Sequence, residues 1–219
     1  MVFVKFRQMK NKRRIENQKI PVTGSSKSDL NIIPQLNLGL NKRAGVFVDD
    51  ANMFYVQKEV GWKIDWNKFS KLLSTYFKNI QYRYYLGMPI ERDNKDKNQK
   101  IKLEMEKIGY VVKTKPLKKI FINNEKNEFK YKCNFDVEIA LDVARLIDKL
   151  DIVIIISGDS DFLAVKDFCV EKKKDFLIIC FEKRVPWEIR KIHHLFFEEI
   201  KNEIQKNSDL RRSGVTRVL

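Results

Sequence analysis

The stretch Ile152–Asp161, with the sequence IVIIISGDSD, decides the fold of this chain. Five β-branched apolar residues follow one another without a polar break, and a turn of small and acidic residues comes directly after them. A run of this kind is typical of a strand buried on both faces, as strands of parallel sheets are. Ligands of such sheets bind beyond the carboxyl ends of the strands, so Ser157–Asp161 is predicted to lie where chemistry takes place.

Strand and helix patterns alternate on either side of this stretch. Regular alternation of this type predicts an α/β fold with a central, mostly parallel sheet flanked by helices. The further predicted strands are Ala44–Val48, Gln81–Met88, residues 110–115, Phe176–Phe181 and, in a small antiparallel ribbon, Leu117–Ile122 and Glu128–Lys132.

The end of the domain is predicted to be helical. Pro186 is well placed to begin a helix over Trp187–Ile200, since proline is favoured in the first turn. His193 and His194 are adjacent, and neighbouring residues of a helix point about 100° apart. We therefore expect both histidines on a helix surface and not at a metal site.

The length and charge of the chain predict one domain with two basic ends. A chain of 219 residues, 43% of them hydrophobic, can bury one good core, which we place at residues 44–200. Residues 1–43 hold ten Lys and Arg against two acidic residues, and residues 201–219 hold five against two. We predict a flexible basic N-terminal arm and a basic C-terminal tail that attract a polyanion such as nucleic acid. Ordinary solvated, Lys-rich termini explain this charge equally well.

Several classes of protein are excluded by the composition. No apolar run approaches the roughly 20 residues of a membrane span, and the N-terminus lacks a secretory signal pattern. Cys133, Cys169 and Cys180 are widely spaced, which argues against a disulfide framework and against a zinc site. We therefore predict a cytoplasmic protein with reduced thiols and no membrane partner.

Acidic side chains gather where the predicted strands end. Asp49 comes directly after the first strand, Asp159 and Asp161 follow the strand of the central stretch, and Asp136 begins a helix. At 100° per residue, Asp136 lies on the side of the apolar residues of that helix, so it is predicted to point toward the sheet. These carboxylates should therefore meet at one edge of the sheet.

Carboxylates brought together in this way repel each other, so we expect a cation among them. Oxygen ligands without a His or Cys set indicate Mg²⁺ or Mn²⁺. Such a centre, on a chain with basic ends, suits metal-assisted attack of water on a phosphodiester. The predicted catalytic and metal-binding residues are Asp49, Asp136, Asp159 and Asp161. The predicted supporting residues are Asn52, Asp50, Ser157, Ser160 and Asp142.

Asp142 is retained only as a supporting residue. With Glu138 and Arg145 it is predicted to lie on the solvent face of its helix, where ion pairing explains it. A group of lysines on the third strand and the ribbon is a second candidate contact surface for nucleic acid, although an ordinary exposed ribbon explains it at least as well. These lysines are Lys113, Lys115, Lys118, Lys119 and Lys132.

Three acidic segments stand in a fixed order along the chain: Phe47–Asn52 (FVDDAN), Lys132–Asp142 (KCNFDVEIALD) and Ser157–Phe162 (SGDSDF). They resemble the three motifs of the NYN domain, in the LabA-like branch of the PIN-like nucleases. The resemblance covers about residues 44–200, with the motifs in the right order, and the SGDSDF string is its most specific part.

The resemblance implies a PIN-like three-layer sandwich and a metal-dependent ribonuclease that uses Mg²⁺ or Mn²⁺. It carries over Asp49, Asp136, Asp159 and Asp161 as the acidic residues, with Asn52 as a supporting polar group. RNA, taken to be single-stranded, is the implied partner. Endonucleolytic or exonucleolytic cleavage, and pairing of two copies as a homodimer, are left open.

The acidic residues are also open to three competing interpretations. They could be unrelated helix N-caps, since Asp and Ser are favoured there. A phosphatase of the haloacid dehalogenase class needs a second acid two residues after its nucleophile, and Ala51 and Asn52 occupy those positions after Asp49 and Asp50. A non-catalytic RNA-binding or scaffold module that retains the fold is the third, because a fold does not fix a function.

Overall fold

A computed structural model of the chain describes residues 34–36, 42–89, 92–123, 128–183 and 185–207. Most of the predicted N-terminal arm and most of the C-terminal tail lie outside these residues. In the described part, the strands are β1 (Arg43–Asp49), β2 (Asn79–Met88), β3 (Val111–Pro116), β4 (Lys118–Asn123), β5 (Glu128–Lys132), β6 (Ile152–Ile156), β7 (Asp175–Cys180) and β8 (His194–Phe196). The α-helices there are α1 (Asp50–Val60), α2 (Trp66–Ser74), α3 (Arg92–Ile108), α4 (Asp136–Leu146), α5 (Leu163–Glu171) and α6 (Lys201–Ile204).

The central sheet is parallel throughout the described residues. Its six strands run in the order β3-β2-β1-β6-β7-β8, and every neighbouring pair is parallel. Val46 in β1 pairs with Tyr82 on one side and with Ile154 on the other. The strands β4 and β5 form the separate antiparallel ribbon that the sequence predicts. The predicted α/β fold, with a mostly parallel sheet between helices, is confirmed.

Alternate residues of the inner strands supply two cores, one on each face of the sheet. Val46 and Val48 pack with helices α1, α2 and α3 on the first face. Phe47 between them packs with α4 and α5 on the second face. The strand β6 is fully buried along its length, as its uninterrupted apolar run predicts. The domain formed by the described residues therefore has three layers, with the sheet in the middle.

The order in which the chain adds strands to the sheet switches sides between β1 and β6. From β1 the chain adds β2 and β3 on one side, and from β6 it adds β7 and β8 on the other. Open α/β sheets bind ligands at such a switch point, outside the carboxyl ends of the two strands. Here those ends are Asp49 and the Ser157–Asp161 turn, so the topology alone selects the place that the motifs indicate.

The predicted helix over Trp187–Ile200 is wrong. This segment forms a turn, a 3₁₀ helix at Ile189–Lys191, the short strand β8 and a second 3₁₀ helix at Phe197–Ile200. His194 is the first residue of β8 and pairs with Ile178 of β7. The prediction that both histidines lie on a helix surface is therefore also wrong.

The boundaries of several elements follow local signals in the sequence. Asp65 caps α2, because its carboxylate accepts from the backbone N–H groups of Asn67 and Lys68. Gly109 follows α3 with a φ of 108°, a left-handed conformation that glycine adopts without strain. Both are local signals, since Asp is favoured at the start of a helix and Gly just after its end.

Residues close to the two ends of the chain pack on the domain. Leu36, in a 3₁₀ helix at Pro34–Leu36, is fully buried against the first core. Ile204 in α6 is also fully buried, and its carbonyl accepts from the backbone N–H of Asp65. The fold therefore extends beyond residue 200. Across the part of the chain that is described, no helix combines the length and the apolar character needed to cross a membrane.

Candidate metal centre

Asp49 lies at the junction of β1 and α1. It is the N-cap of α1, and its Oδ1 accepts from the Asn52 backbone N–H at 3.4 Å. Its Oδ2 accepts from the hydroxyl of the fully buried Ser157 at 3.3 Å. Asp49 itself is only 8% exposed. The residue therefore acts as a helix cap and also joins the turn that follows β6, so a capping role does not exclude a functional one.

The Ser157–Asp161 turn is held by polar contacts on both of its sides. The Asp159 carboxylate caps the next 3₁₀ helix by accepting from the Asp161 backbone N–H at 3.0 Å. The Gly158 backbone N–H donates to Asn52 Oδ1 at 2.9 Å. Asn52 thereby fixes the turn against α1. Ser160 is half-buried and begins the 3₁₀ helix.

Asp136 is the first residue of α4 and is half-buried. Its backbone N–H donates to Asn134 Oδ1 at 2.8 Å, so the turn before α4 fixes the start of the helix. Each of Asp136, Asp159 and Asp161 offers one carboxylate oxygen, and these three oxygens lie within 4.8 Å of one another. Three of the four predicted carboxylates therefore form one group at the carboxyl edge of the sheet.

The donor set of this group fits a hard divalent cation. Oxygen ligands lie roughly 2.0–2.6 Å from Mg²⁺ or Ca²⁺, so two ligands of one ion are separated by no more than about 5 Å. All three side chains supply only oxygen, which excludes the softer ligand sets of zinc and copper sites. Asp161 is exposed and the other two are half-buried, so solvent and a substrate can reach the group. This acidic triad is defined as Asp136, Asp159 and Asp161.

The electrostatics of the site indicate a deficit of positive charge. Burial raises the pKa of Asp49 to about 6, and the charge of Asp136 adds to the increase. Burial also raises the pKa of Asp136, and the charges of Asp159 and Asp161 raise it further. Burial and the neighbouring charges therefore make Asp49 and Asp136 harder to ionise than a free aspartate. A cation among them would offset both causes.

Asp50 does not belong to the triad. Its carboxylate accepts a short hydrogen bond from the hydroxyl of Tyr84, whose ring lies in the first core. Burial raises the pKa of Asp50 to about 6. Asp136 belongs to α4 on the opposite face of the sheet, so Asp50 supports the start of α1 and does not face the triad. Its predicted supporting role is therefore structural.

Asp142 corrects the predicted orientation of α4. The prediction placed it on the solvent face, but it is only 3% exposed. It lies on the buried side of the helix between Ile139 and Leu146, which faces β2 and β3. Its carboxylate accepts from the Tyr85 hydroxyl at 2.7 Å and contacts Lys113 Nζ at 2.6 Å.

Two arginines complete the contacts of Asp142. Arg83 Nε lies 3.7 Å and Arg145 Nη1 lies 3.3 Å from its carboxylate. The pKa of Asp142 is lowered, because the hydrogen bonds and charges of its partners outweigh the effect of burial, which by itself would raise it. Asp142 is therefore a charge-compensated structural residue.

The predicted lysine surface divides into paired and exposed members. Lys113 is engaged with Asp142, and Lys115 lies 2.6 Å from a carboxylate oxygen of Glu138. Lys118 and Lys132 are exposed and stand directly opposite each other in the ribbon. Lys132 is near enough to Asp136 to lower the pKa of that carboxyl. The side chain of Lys119 lies outside the described part of the structure.

Comparison with known proteins identifies the family. The sequence model of the NYN domain family matches residues 43–200, well over half of the 219-residue chain. The chain belongs to the NYN domain family. This NYN domain therefore belongs to the PIN-like nuclease superfamily, as the three motifs imply.

Two further similarities concern the branch and the fold. The low amplitude and bright protein LabA of Synechococcus elongatus (strain ATCC 33912 / PCC 7942 / FACHB-805) is 24% identical over 172 residues, which span 75% of this chain and 88% of that protein. With the family match, this similarity supports the LabA-like branch of the NYN domains. A crystal structure of a protein of unknown function from Vibrio parahaemolyticus RIMD 2210633 superposes with a TM-score of 0.59 at 19% identity, over 76% of this chain and 97% of that one. This likeness concerns the fold alone.

The structure adds a cavity that the sequence did not predict. It has a volume of about 300 Å³ and lies beside the Asn52–Gly158 contact of the NYN domain. Asn52 and Gly158 line it, and the rest comes from α1 and from the segment after β7. The remaining lining residues are Tyr55, Val56, Glu59, Phe181 and Lys183. The spacing of Tyr55 and Glu59 on α1, one turn apart after the FVDDAN motif, is the signal that could have indicated this surface.

Proposed function

We propose that this NYN domain is a metal-dependent ribonuclease that hydrolyses phosphodiester bonds of single-stranded RNA. The observation that carries the proposal is the convergence of the acidic triad at the switch point between β1 and β6. Membership of the PIN-like nuclease superfamily supports the same chemistry. The residues that would hold Mg²⁺ or Mn²⁺ are Asp136, Asp159 and Asp161, with Asp49 close by at the buried side.

The chemistry requires no nucleophile from the protein. A bound Mg²⁺ or Mn²⁺ supplies an activated water and neutralises charge on the phosphate oxygens. Hydrolysis adds the water oxygen to phosphorus, the bond to the leaving ribose oxygen breaks, and that oxygen takes up a proton. Asp49 lies close enough to Asp136 to be affected by its charge. Hydrogen bonds from the Ser157 hydroxyl and the Asn52 backbone N–H hold the Asp49 carboxylate in place.

The charge around the triad suits an RNA backbone. Lys118 and Lys132 stand opposite each other, and like charges in such a cross-strand pair destabilise a ribbon unless an anion lies between them. We assign them to phosphate contacts. Lys113 and Lys115 are already engaged with Asp142 and Glu138, so their contribution to RNA binding is secondary.

The test is cleavage of a short single-stranded RNA in the presence of Mg²⁺ or Mn²⁺. We expect the wild type to cleave and Asp159→Asn to lose about a thousandfold in rate, since the loss of one preorganised charge at a reacting phosphate commonly costs that much. Chelation of the metal should abolish the wild-type activity.

Asp167→Asn is the matched control for this experiment. Asp167 is an exposed carboxylate of α5, paired with its neighbour Lys166, and the substitution changes the net charge by the same amount. It should cleave like the wild type. If the wild type binds RNA but cleaves no faster than Asp159→Asn, the ribonuclease proposal is wrong and a non-catalytic RNA-binding module fits the protein better.

A further inference from the structure

We propose that the cavity beside the Asn52–Gly158 contact, lined also by Tyr55, Glu59 and Lys183, binds one nucleobase of the RNA strand. The inference rests on the proposed function and adds to it the place where the strand is held next to the reacting phosphate. Its volume of about 300 Å³ is at the lower end of the range typical of small-molecule sites, roughly 300–1,000 Å³, which suits a single base.

The position of the cavity connects it with the acidic triad. Gly158 lies in its wall and is followed directly by Asp159, a member of the triad. Asn52, in the same wall, holds Gly158 through a 2.9 Å hydrogen bond and also donates its backbone N–H to Asp49. The cavity therefore borders the turn that carries Asp159, so an RNA strand with one phosphate at the carboxylates has a neighbouring nucleotide on the side of this cavity.

The chemistry of the lining matches a base and its phosphate. Tyr55 is 46% exposed and offers an aromatic ring for stacking, and Phe181 contributes a buried apolar side chain. Asn52 and Glu59 offer an amide and a carboxylate, the groups that recognise the polar edges of bases. Aromatic stacking beside a cationic group is the usual way in which single-stranded nucleic acid is held.

Lys183 supplies the cationic group and joins the two sides of the cavity. Its ammonium donates to the Glu59 backbone carbonyl at 3.3 Å and lies 3.8 Å from the Glu59 carboxylate. It comes from the segment after β7, whereas Glu59 belongs to the last turn of α1. The charge is therefore held in the lining of the cavity, where it would meet the phosphate of the bound nucleotide.

The experiment measures RNA binding by fluorescence anisotropy with Ca²⁺ in place of Mg²⁺ or Mn²⁺, so that a cation with oxygen ligands is available to the triad. A short single-stranded RNA is compared with versions that carry one abasic nucleotide at each position in turn. For the wild type, we expect one position at which loss of the base weakens binding about tenfold, the size typical of one base stacked on an aromatic ring.

Tyr55→Leu should bind the intact RNA about tenfold more weakly, and the abasic position should then have no further effect. Tyr55→Phe keeps the ring and should behave like the wild type. The exposed position of Tyr55 makes both variants compatible with the fold, and their unfolding temperatures should match that of the wild type.

The inference is overturned if the abasic effect persists in Tyr55→Leu, if no position is sensitive, or if the wild type does not bind RNA. A failure of the proposed function gives a different result. In that case the coupling between Tyr55 and one base is present, but the metal-loaded protein does not cleave. Cleavage without this coupling leaves the ribonuclease proposal intact and removes only the base site.

Discussion

Helix α4 carries two aspartates whose surroundings are opposite. Asp136, at its start, lies with Asp159 and Asp161, and burial and their charges raise its pKa. Asp142, on the next turns, is more deeply buried but contacts Lys113, and its pKa is lowered. Asp136 therefore has too little neighbouring positive charge to balance its own negative charge, whereas the charge of Asp142 is balanced by its neighbours.

The difference separates a ligand-binding carboxylate from a structural one. A buried charge without a partner is costly, so a protein keeps it only where a ligand compensates it. Asp142 already has its compensation within the chain and ties α4 to β2 and β3. It therefore positions the helix that carries Asp136, whereas Asp136 is left for the cation that we propose.

The largest effect on stability is expected for Asp142→Asn. The change leaves Lys113 and Arg83 without their charged partner, and breaking a buried ion pair from one side typically costs about 3 kcal/mol or more. We expect the free energy of unfolding, measured in urea, to fall by about 3 kcal/mol. Glu138→Gln is the matched control on the same helix, because it breaks only the half-exposed pair with Lys115.

Glu138→Gln should change the free energy of unfolding by less than about 1 kcal/mol. Equal losses in the two variants, or an unchanged stability of Asp142→Asn, would contradict the structural role of Asp142. Either result would show that Asp142 does not differ from Asp136 in the way that we infer.

An effect of similar size and opposite sign is expected for Asp49→Asn without metal. The pKa of Asp49 is raised to about 6 in the folded protein, above an unfolded value of about 3.9. The folded state therefore binds more protons between these values, and stability falls as the pH rises through them. The variant cannot ionise, so it escapes this loss.

We expect Asp49→Asn to be more stable than the wild type by about 3 kcal/mol at pH 7.5 in EDTA, and no more stable near pH 3.5. The asparagine can still accept from the Asn52 N–H and donate to Ser157. Thermal or urea unfolding across this pH range measures the difference. A variant that is less stable at pH 7.5 would show that the charge of Asp49 is already compensated within the chain.

The strands and the motifs could be predicted from the sequence because their signals are local. The apolar run of β6, the Asp65 cap and Gly109 each depend on nearby residues. The convergence of Asp136 with Asp159 and Asp161 could also be predicted, since parallel strands end at the same edge of a sheet. The resemblance to the LabA-like branch supports the same prediction, because the three motifs occur in the same order along the chain.

The features that could not be predicted depend on contacts between distant elements. Strand β8 has three residues and forms only because it pairs with β7, whereas Pro186, the local signal before Trp187–Ile200, predicts the start of a helix. The sequence pattern of α4 predicts Asp142 on the solvent face, because it contains no information on the groups that balance the charge of Asp142. These groups, Lys113 and Tyr85, lie on other elements, β3 and β2. A buried acid becomes predictable only when its partners are known.

The central claim is that the acidic triad binds a divalent cation and that the compensated Asp142 does not. Mn²⁺-dependent thermal stabilisation of the wild type, Asp136→Asn and Asp142→Asn tests it most directly. A cation at about ten times its dissociation constant stabilises the folded state by about 1.4 kcal/mol. We predict this gain for the wild type and Asp142→Asn, and its loss in Asp136→Asn. Equal stabilisation of all three proteins, or none in the wild type, would contradict the claim.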